Sequence, residues 1–68
     1  MPNYYVNNNA QITGEREVHQ EGCEYLQIAV SKKFLGFFIR CSDAIKEAKK
    51  YYSNVDGCKY CSNECHKK

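Results

Sequence analysis

Three cysteines and a histidine lie close together near the carboxyl end of the sequence. Cys58 and Cys61 are separated by two residues, and Cys65 and His66 follow shortly after. Thiolates and imidazoles are preferred zinc ligands, and two cysteines with this spacing can bind one ion from a single tight turn. The same spacing occurs in thiol redox sites, where the surroundings lower the pKa of one thiol. The pattern therefore indicates metal or redox chemistry in residues 56–68.

A structural zinc site needs four ligands, so the tail is expected to find a partner elsewhere in the chain. We expect Cys58 and Cys61 to bind together with one neighbouring residue of the tail and one residue from the segment that contains the other histidine. Four protein ligands would leave no open position, and the Zn²⁺ would then fasten the tail to the domain. The candidate ligands are Cys58, Cys61, Cys65, His66, Cys23 and His19.

Two other interpretations of the cysteines stay open. Cys58 and Cys61 can form a redox pair, although they do not follow a strand in a thioredoxin-like unit. The cysteines can also be inert thiols, or Cys23 can form a disulfide with a cysteine of the tail. Cys41 is expected to be a buried packing residue, because free cysteine is among the most buried residue types.

Length sets the need for such a cross-link. The chain has 68 residues, and ordering a chain of this size costs on the order of 100 kcal/mol, which a core this small barely offsets. We predict one domain over residues 1–68, with residues 1–3 flexible and residues 56–68 forming a cysteine-rich tail docked on the end of the sheet. A disulfide, a metal or a partner subunit would supply the missing stability.

Composition and charge exclude several functions. A net charge of +2 is too small for a strong polyanion binder, so we expect no nucleic-acid partner. The sequence shows no signal peptide and no apolar run that could span a bilayer, so we predict a cytoplasmic protein without a membrane partner. Clustered cysteines in a reducing cytoplasm are more often metal ligands or reactive thiols than disulfides. No phosphate-binding loop or nucleophile elbow is present, which favours a non-enzymatic role.

Three strands and one helix are predicted. Tyr4–Val6 and Glu15–His19 flank a turn-rich segment, and the apolar run Phe34–Ile39 favours a central strand. Residues 27–33 can be a further strand or a loop. Ser42 or Asp43 then caps a helix with one apolar face. The residues of that face are Ala44, Ile45, Ala48, Tyr51 and Tyr52, and Asn54 or Gly57 can end the helix.

The order of these elements predicts where the tail docks. If the second and third strands pair antiparallel, the helix starts at the far edge of the sheet, beside Cys41. A helix of about eleven residues spans roughly 17 Å, the length of a five-residue strand. It therefore returns the chain to the end of the sheet that carries His19 and Cys23, and Cys41 stays at the opposite end.

The same motifs resemble a family of small uncharacterised bacterial proteins. The shared residues are Glu17-Val18-His19, Gly22-Cys23, Leu35-Gly36, Phe38, Cys41, Ala44, Ala48-Lys49, Tyr52, Val55-Asp56-Gly57-Cys58, Cys61 and Cys65-His66. The resemblance covers residues 4–66 and implies a compact α/β domain, without indicating an activity.

These observations lead to one prediction for fold and function. We expect an α+β domain in which a small antiparallel sheet of about three strands is packed by one helix. Its function is predicted to be that of a non-catalytic binding or accessory module, monomeric or a weak homodimer, with a protein partner that the sequence does not identify. A structural Zn²⁺ is expected in the tail, and a thiol redox protein or a metal-free domain is the alternative.

Overall fold

The computed structural model describes residues 3–67 and confirms an α+β fold. The strands are β1 (Asn3–Asn7), β2 (Arg16–Gln20), β3 (Lys32–Phe37) and β4 (Val55–Gly57). The helices are α1 (Glu24–Gln27) and α2 (Cys41–Ala48), and a 3-10 turn covers Asn63–Cys65. Asn3, which was expected to be flexible, begins β1, whereas the predictions for Met1, Pro2 and Lys68 lie outside the described residues.

The sheet is mixed and has four strands in the order β3-β1-β2-β4. Strand β1 pairs antiparallel with both β2 and β3, while β2 and β4 are parallel. The prediction of about three antiparallel strands is therefore corrected to four strands in a mixed sheet. Strand β4 was not predicted, because Val55-Asp56-Gly57 is too short to show an alternating pattern and its glycine is typical of turns.

The strand order also corrects the predicted pairing of the second and third strands. Because β1 lies between β2 and β3 and is antiparallel to both, these two strands run in the same direction. The carboxyl end of β3, and with it Cys41 at the start of α2, therefore lies at the same end of the sheet as His19. Cys41 is not at the opposite end, as the predicted order required.

The core lies between one face of the sheet and α2. Tyr4, Val6 and Val18 are buried on this face, and Ala44 and Ala48 are the fully buried residues of the helix. Their small side chains bring the helix close to the strands. Leu35 completes the buried cluster, with Ile45 and Tyr52 packed against its rim. The predicted apolar face of the helix is confirmed for Ala44, Ile45 and Ala48. Tyr51 and Tyr52 lie beyond the end of α2 at Ala48, where Tyr52 packs against the core and Tyr51 is half exposed.

Strand β3 differs from the expected central strand. It forms an edge of the sheet, and Phe34 and Phe37 are exposed, so that Leu35 alone in the strand is buried. The start of α2 also differs, because Arg40 occupies the N-cap without a side-chain cap. Among residues 3–67, no helix is long and apolar enough to cross a membrane.

Candidate metal centre

The parallel pairing of β2 and β4 brings two distant segments together. The carboxyl ends of parallel strands lie at the same edge of a sheet, so the residues that follow them are neighbours. His19 lies near the end of β2 and Cys23 just beyond it, while Cys58 directly follows β4. The Cys58 amide donates to the Val18 carbonyl at 2.9 Å, which continues the ladder by one residue and places the cysteine turn beside β2.

Four of the six predicted ligands meet at this edge. One ligand atom from each of His19, Cys23, Cys58 and Cys61 lies within 4.8 Å of all the others. The Sγ atoms of Cys23 and Cys58 are 3.9 Å apart, and Cys61 Sγ is 3.9 Å from His19 Nδ1. A tetrahedral zinc ion separates its sulfur and nitrogen ligands by about 3.5 to 3.8 Å. The cluster can therefore hold a metal ion after only a small contraction.

Backbone amides of the cluster point at its sulfur atoms. The Tyr60 amide donates to Cys58 Sγ at 3.4 Å, and the Gln20 amide donates to Cys61 Sγ at 3.2 Å. Hydrogen bonds of this kind stabilise the charge of a thiolate. The rings of Tyr25 and Tyr60 stack with their centroids 4.6 Å apart, so the segment after Cys23 is also held against the cysteine turn. The amide donors and the stacked tyrosine rings thus support both the segment around Cys23 and the turn that carries Cys58 and Cys61.

Burial favours the neutral form of three of the four groups, those of His19, Cys58 and Cys61. His19 and Cys58 are buried, and Cys23 and Cys61 are half-buried. Burial raises the pKa of Cys58, and it raises the pKa of Cys61 to about 12. Burial also lowers the pKa of His19. Without a metal, Cys58 and Cys61 are therefore protonated thiols at neutral pH, a state that favours a structural site over a reactive thiol pair.

The other two predicted ligands, Cys65 and His66, lie outside this group of four. Cys65 forms a disulfide with Cys41, which corrects the expectation that Cys41 is a packing residue. His66 Nδ1 lies 3.2 Å from Asp56 Oδ2 and 3.0 Å from the Gly57 carbonyl oxygen. Both residues anchor the tail, while Cys23, the cysteine expected in any disulfide with the tail, is a free thiol.

Two residues near the site were missed as contributors to it. Gly57 was one of two residues, with Asn54, expected to end the helix. It lies instead in β4 and lets the 3-10 turn approach, since a Cβ there would lie 2.7 Å from the Cys65 Cβ. Glu17 lies beside His19, with Oε1 3.7 Å from Nε2. The only sequence signal for Glu17 was its position two residues before His19, which places both side chains on one face of a strand.

No protein-family model matches this chain, and searches of curated proteins and of solved structures found no match. Membership of the bacterial family therefore stays a prediction. The function has to be inferred from the geometry of the cluster.

Proposed function

We propose that this protein is a small non-catalytic binding or accessory domain held together by one structural zinc ion. The ligands are His19, Cys23, Cys58 and Cys61. The observation that carries the proposal is the convergence of their four ligand atoms within 4.8 Å, although Cys23 and Cys58 have a sequence separation of 35. Three sulfur atoms and one imidazole nitrogen suit zinc, whereas calcium and magnesium prefer oxygen.

The complete ligand set determines the role of the ion. Four protein ligands leave zinc no open position for water or substrate, so the ion supports the fold and takes no part in catalysis. It would cross-link the end of β2 to the end of β4. Because structural zinc binds folded small domains with apparent free energies on the order of 10 kcal/mol, this cross-link would supply much of the stability that a small core lacks.

A thiol redox role has less support. A reactive cysteine pair needs one thiol with a lowered pKa, and burial raises the pKa of both Cys58 and Cys61.

The predicted cytoplasmic location and bacterial origin stay predictions. The Cys41–Cys65 disulfide speaks against a reducing cytoplasm, where such bonds are rare.

Zinc binding by the whole chain tests the proposal. Native mass spectrometry should show one zinc per chain, and removal of the ion by a chelator should lower the unfolding temperature. The Cys58→Ser variant should lose the ion. The control is the double variant Cys41→Ser/Cys65→Ser, which removes two other sulfur atoms from this end of the molecule but should keep one zinc per chain. A wild-type chain that takes up no zinc, or whose unfolding temperature does not respond to the chelator, would refute the proposal.

A further inference from the structure

The imidazole of His19 has different surroundings at its two nitrogen atoms. Nδ1 faces the cysteine cluster, 3.9 Å from Cys61 Sγ. Nε2 faces away from the cluster and lies 3.7 Å from Glu17 Oε1. The His19 side chain is 2% exposed and that of Glu17 is 20% exposed, so little water competes for the Nε2 side of the ring. The Glu17 carboxylate lies within ion-pair distance of this nitrogen, and a hydrogen bond between the two requires Oε1 to move closer than 3.7 Å.

This arrangement matters because a neutral imidazole exists in two tautomers. A histidine that binds a metal through Nδ1 must carry its proton on Nε2, and the group that accepts that proton's hydrogen bond fixes the tautomer and the ring orientation. A carboxylate in this position also makes the ligand nitrogen more basic, and its loss from metal sites typically costs about 10- to 100-fold in metal affinity.

The two residues are placed for this contact by β2. Side chains two residues apart in a strand point to the same face, so Glu17 and His19 project together, while Val18 between them points into the core. The contact is therefore set by the pleat of the strand and not by a mobile loop.

We propose that Glu17 is a positioning residue for the metal site: its carboxylate holds His19 as the Nε2-protonated tautomer, with Nδ1 directed at the cysteines. This inference rests on the proposed zinc site for its consequence, but the tautomer is a property of the zinc-free protein as well. Glu17 touches no metal; it acts through His19.

The tail keeps this carboxylate in a defined environment. Asp56 is the register partner of Glu17 across β2 and β4, which would place two carboxylates side by side. His66 lies against Asp56, with Nδ1 3.2 Å from Asp56 Oδ2.

The test compares Glu17→Gln with Glu24→Gln in the whole chain. Glutamine keeps the size of the side chain and removes the charge. Glu24 is exposed and next to the ligand Cys23, so its replacement removes a similar charge near the cluster without touching His19. Zinc affinity is measured by competition with a chromogenic chelator, and the His19 tautomer by long-range proton–nitrogen NMR of the zinc-free protein above neutral pH.

We expect Glu17→Gln to bind zinc about 10- to 100-fold more weakly than the wild type, and Glu24→Gln to match the wild type. The wild-type His19 should carry its proton on Nε2, and Glu17→Gln should shift the ring towards a mixture of tautomers. Equal affinity in both variants, or a wild-type proton on Nδ1, would overturn the inference while leaving the zinc site intact. If the wild type binds no zinc, the proposed function fails, and the wild-type tautomer alone still decides the role of Glu17.

Discussion

At the scale of single residues, burial favours the neutral forms of three of the four candidate ligands, His19, Cys58 and Cys61. A thiol must lose its proton before it binds zinc, and burial raises the pKa of Cys58 and Cys61. His19 behaves in the opposite way, because burial lowers its pKa and leaves the neutral form that can bind a metal. The proposed metal binding would therefore be linked to proton release.

This linkage gives a prediction about pH. At neutral pH zinc should displace at least two protons, those of Cys58 and Cys61, so its apparent affinity should fall as the pH is lowered. Proton release can be counted by titration calorimetry in buffers of different ionisation enthalpy. The Cys61→Ser variant should release fewer protons than the wild type. Release of fewer than two protons by the wild type would show that these thiols are not both ligands, or not both protonated beforehand.

At the scale of the elements, the position of α2 was predictable, but its end was not, because α2 ends at Ala48 and not at Asn54 or Gly57. The sheet was predictable only in part. The apolar face of α2 repeats at helical spacing, so Ala44 and Ala48 could be assigned to the core. The order of the strands carries no such local signal, because it depends on which edges become covered. The apolar composition of β3 predicted a central strand, but β1 lies inside the sheet and β3 is an edge strand.

The candidate site was predicted with the right segments but through the wrong topology. The spacing of Cys58 and Cys61 identified the turn, and His19 and Cys23 were expected beside it. The predicted helix was to return directly to these residues, whereas the chain actually returns through the unforeseen strand β4. The same error left Cys41 at the wrong end of the sheet, so its disulfide with Cys65 could not be foreseen.

The contact between β4 and the 3-10 turn gives a second prediction. A Cβ at position 57 would lie 2.7 Å from the Cys65 Cβ and 2.8 Å from the Ser62 carbonyl oxygen. Because the latter is a backbone atom, Gly57→Ala must displace the turn, and we expect it to lower the free energy of unfolding by about 1 to 3 kcal/mol. It should also weaken zinc binding, since Cys58 is the next residue. Urea unfolding with and without zinc measures both effects.

A matched control for this substitution is Lys59→Ala, which changes an exposed residue of the same turn. This variant should unfold at the same urea concentration as the wild type. If Gly57→Ala is as stable as Lys59→Ala, the close approach between β4 and the 3-10 turn is not a feature of the folded protein.

At the scale of the whole molecule, the two ends of the sheet are held in different ways. The end that carries the cluster has the Cys41–Cys65 disulfide and the proposed zinc site. At the other end, the Arg16 guanidinium lies 4.2 Å from the ring centroid of Tyr52, and the Tyr52 hydroxyl donates to Asn8 Oδ1 at 2.6 Å. The disulfide and the proposed zinc site thus lie at the end of the sheet where the chain after β4 has little core to pack against.

The Cys41–Cys65 disulfide and the proposed zinc site lie at the same end of the sheet, and each can stabilise the tail without the other. The disulfide closes a loop with a sequence separation of 24, and restricting the unfolded chain by a loop of this length is worth about 3 kcal/mol in the chain-entropy description. The proposed zinc ligands Cys58 and Cys61 come earlier in the tail than Cys65. They keep their backbone contacts to β2 through the amides of Cys58 and Gln20, and none of these contacts passes through the disulfide.

We therefore expect the double variant Cys41→Ser/Cys65→Ser to lose about 3 kcal/mol of stability and still to bind one zinc ion. Urea unfolding of the zinc-loaded variant measures the first effect, and native mass spectrometry measures the second. Wild-type protein treated with a phosphine reductant should be as stable as the double variant, because it also lacks the Cys41–Cys65 disulfide. Removal of zinc from the variant should then bring its unfolding midpoint below that of either singly cross-linked form. If the variant instead folds without zinc as stably as the wild type does, neither cross-link holds the tail, and the stability of this fold resides in the sheet and α2 alone.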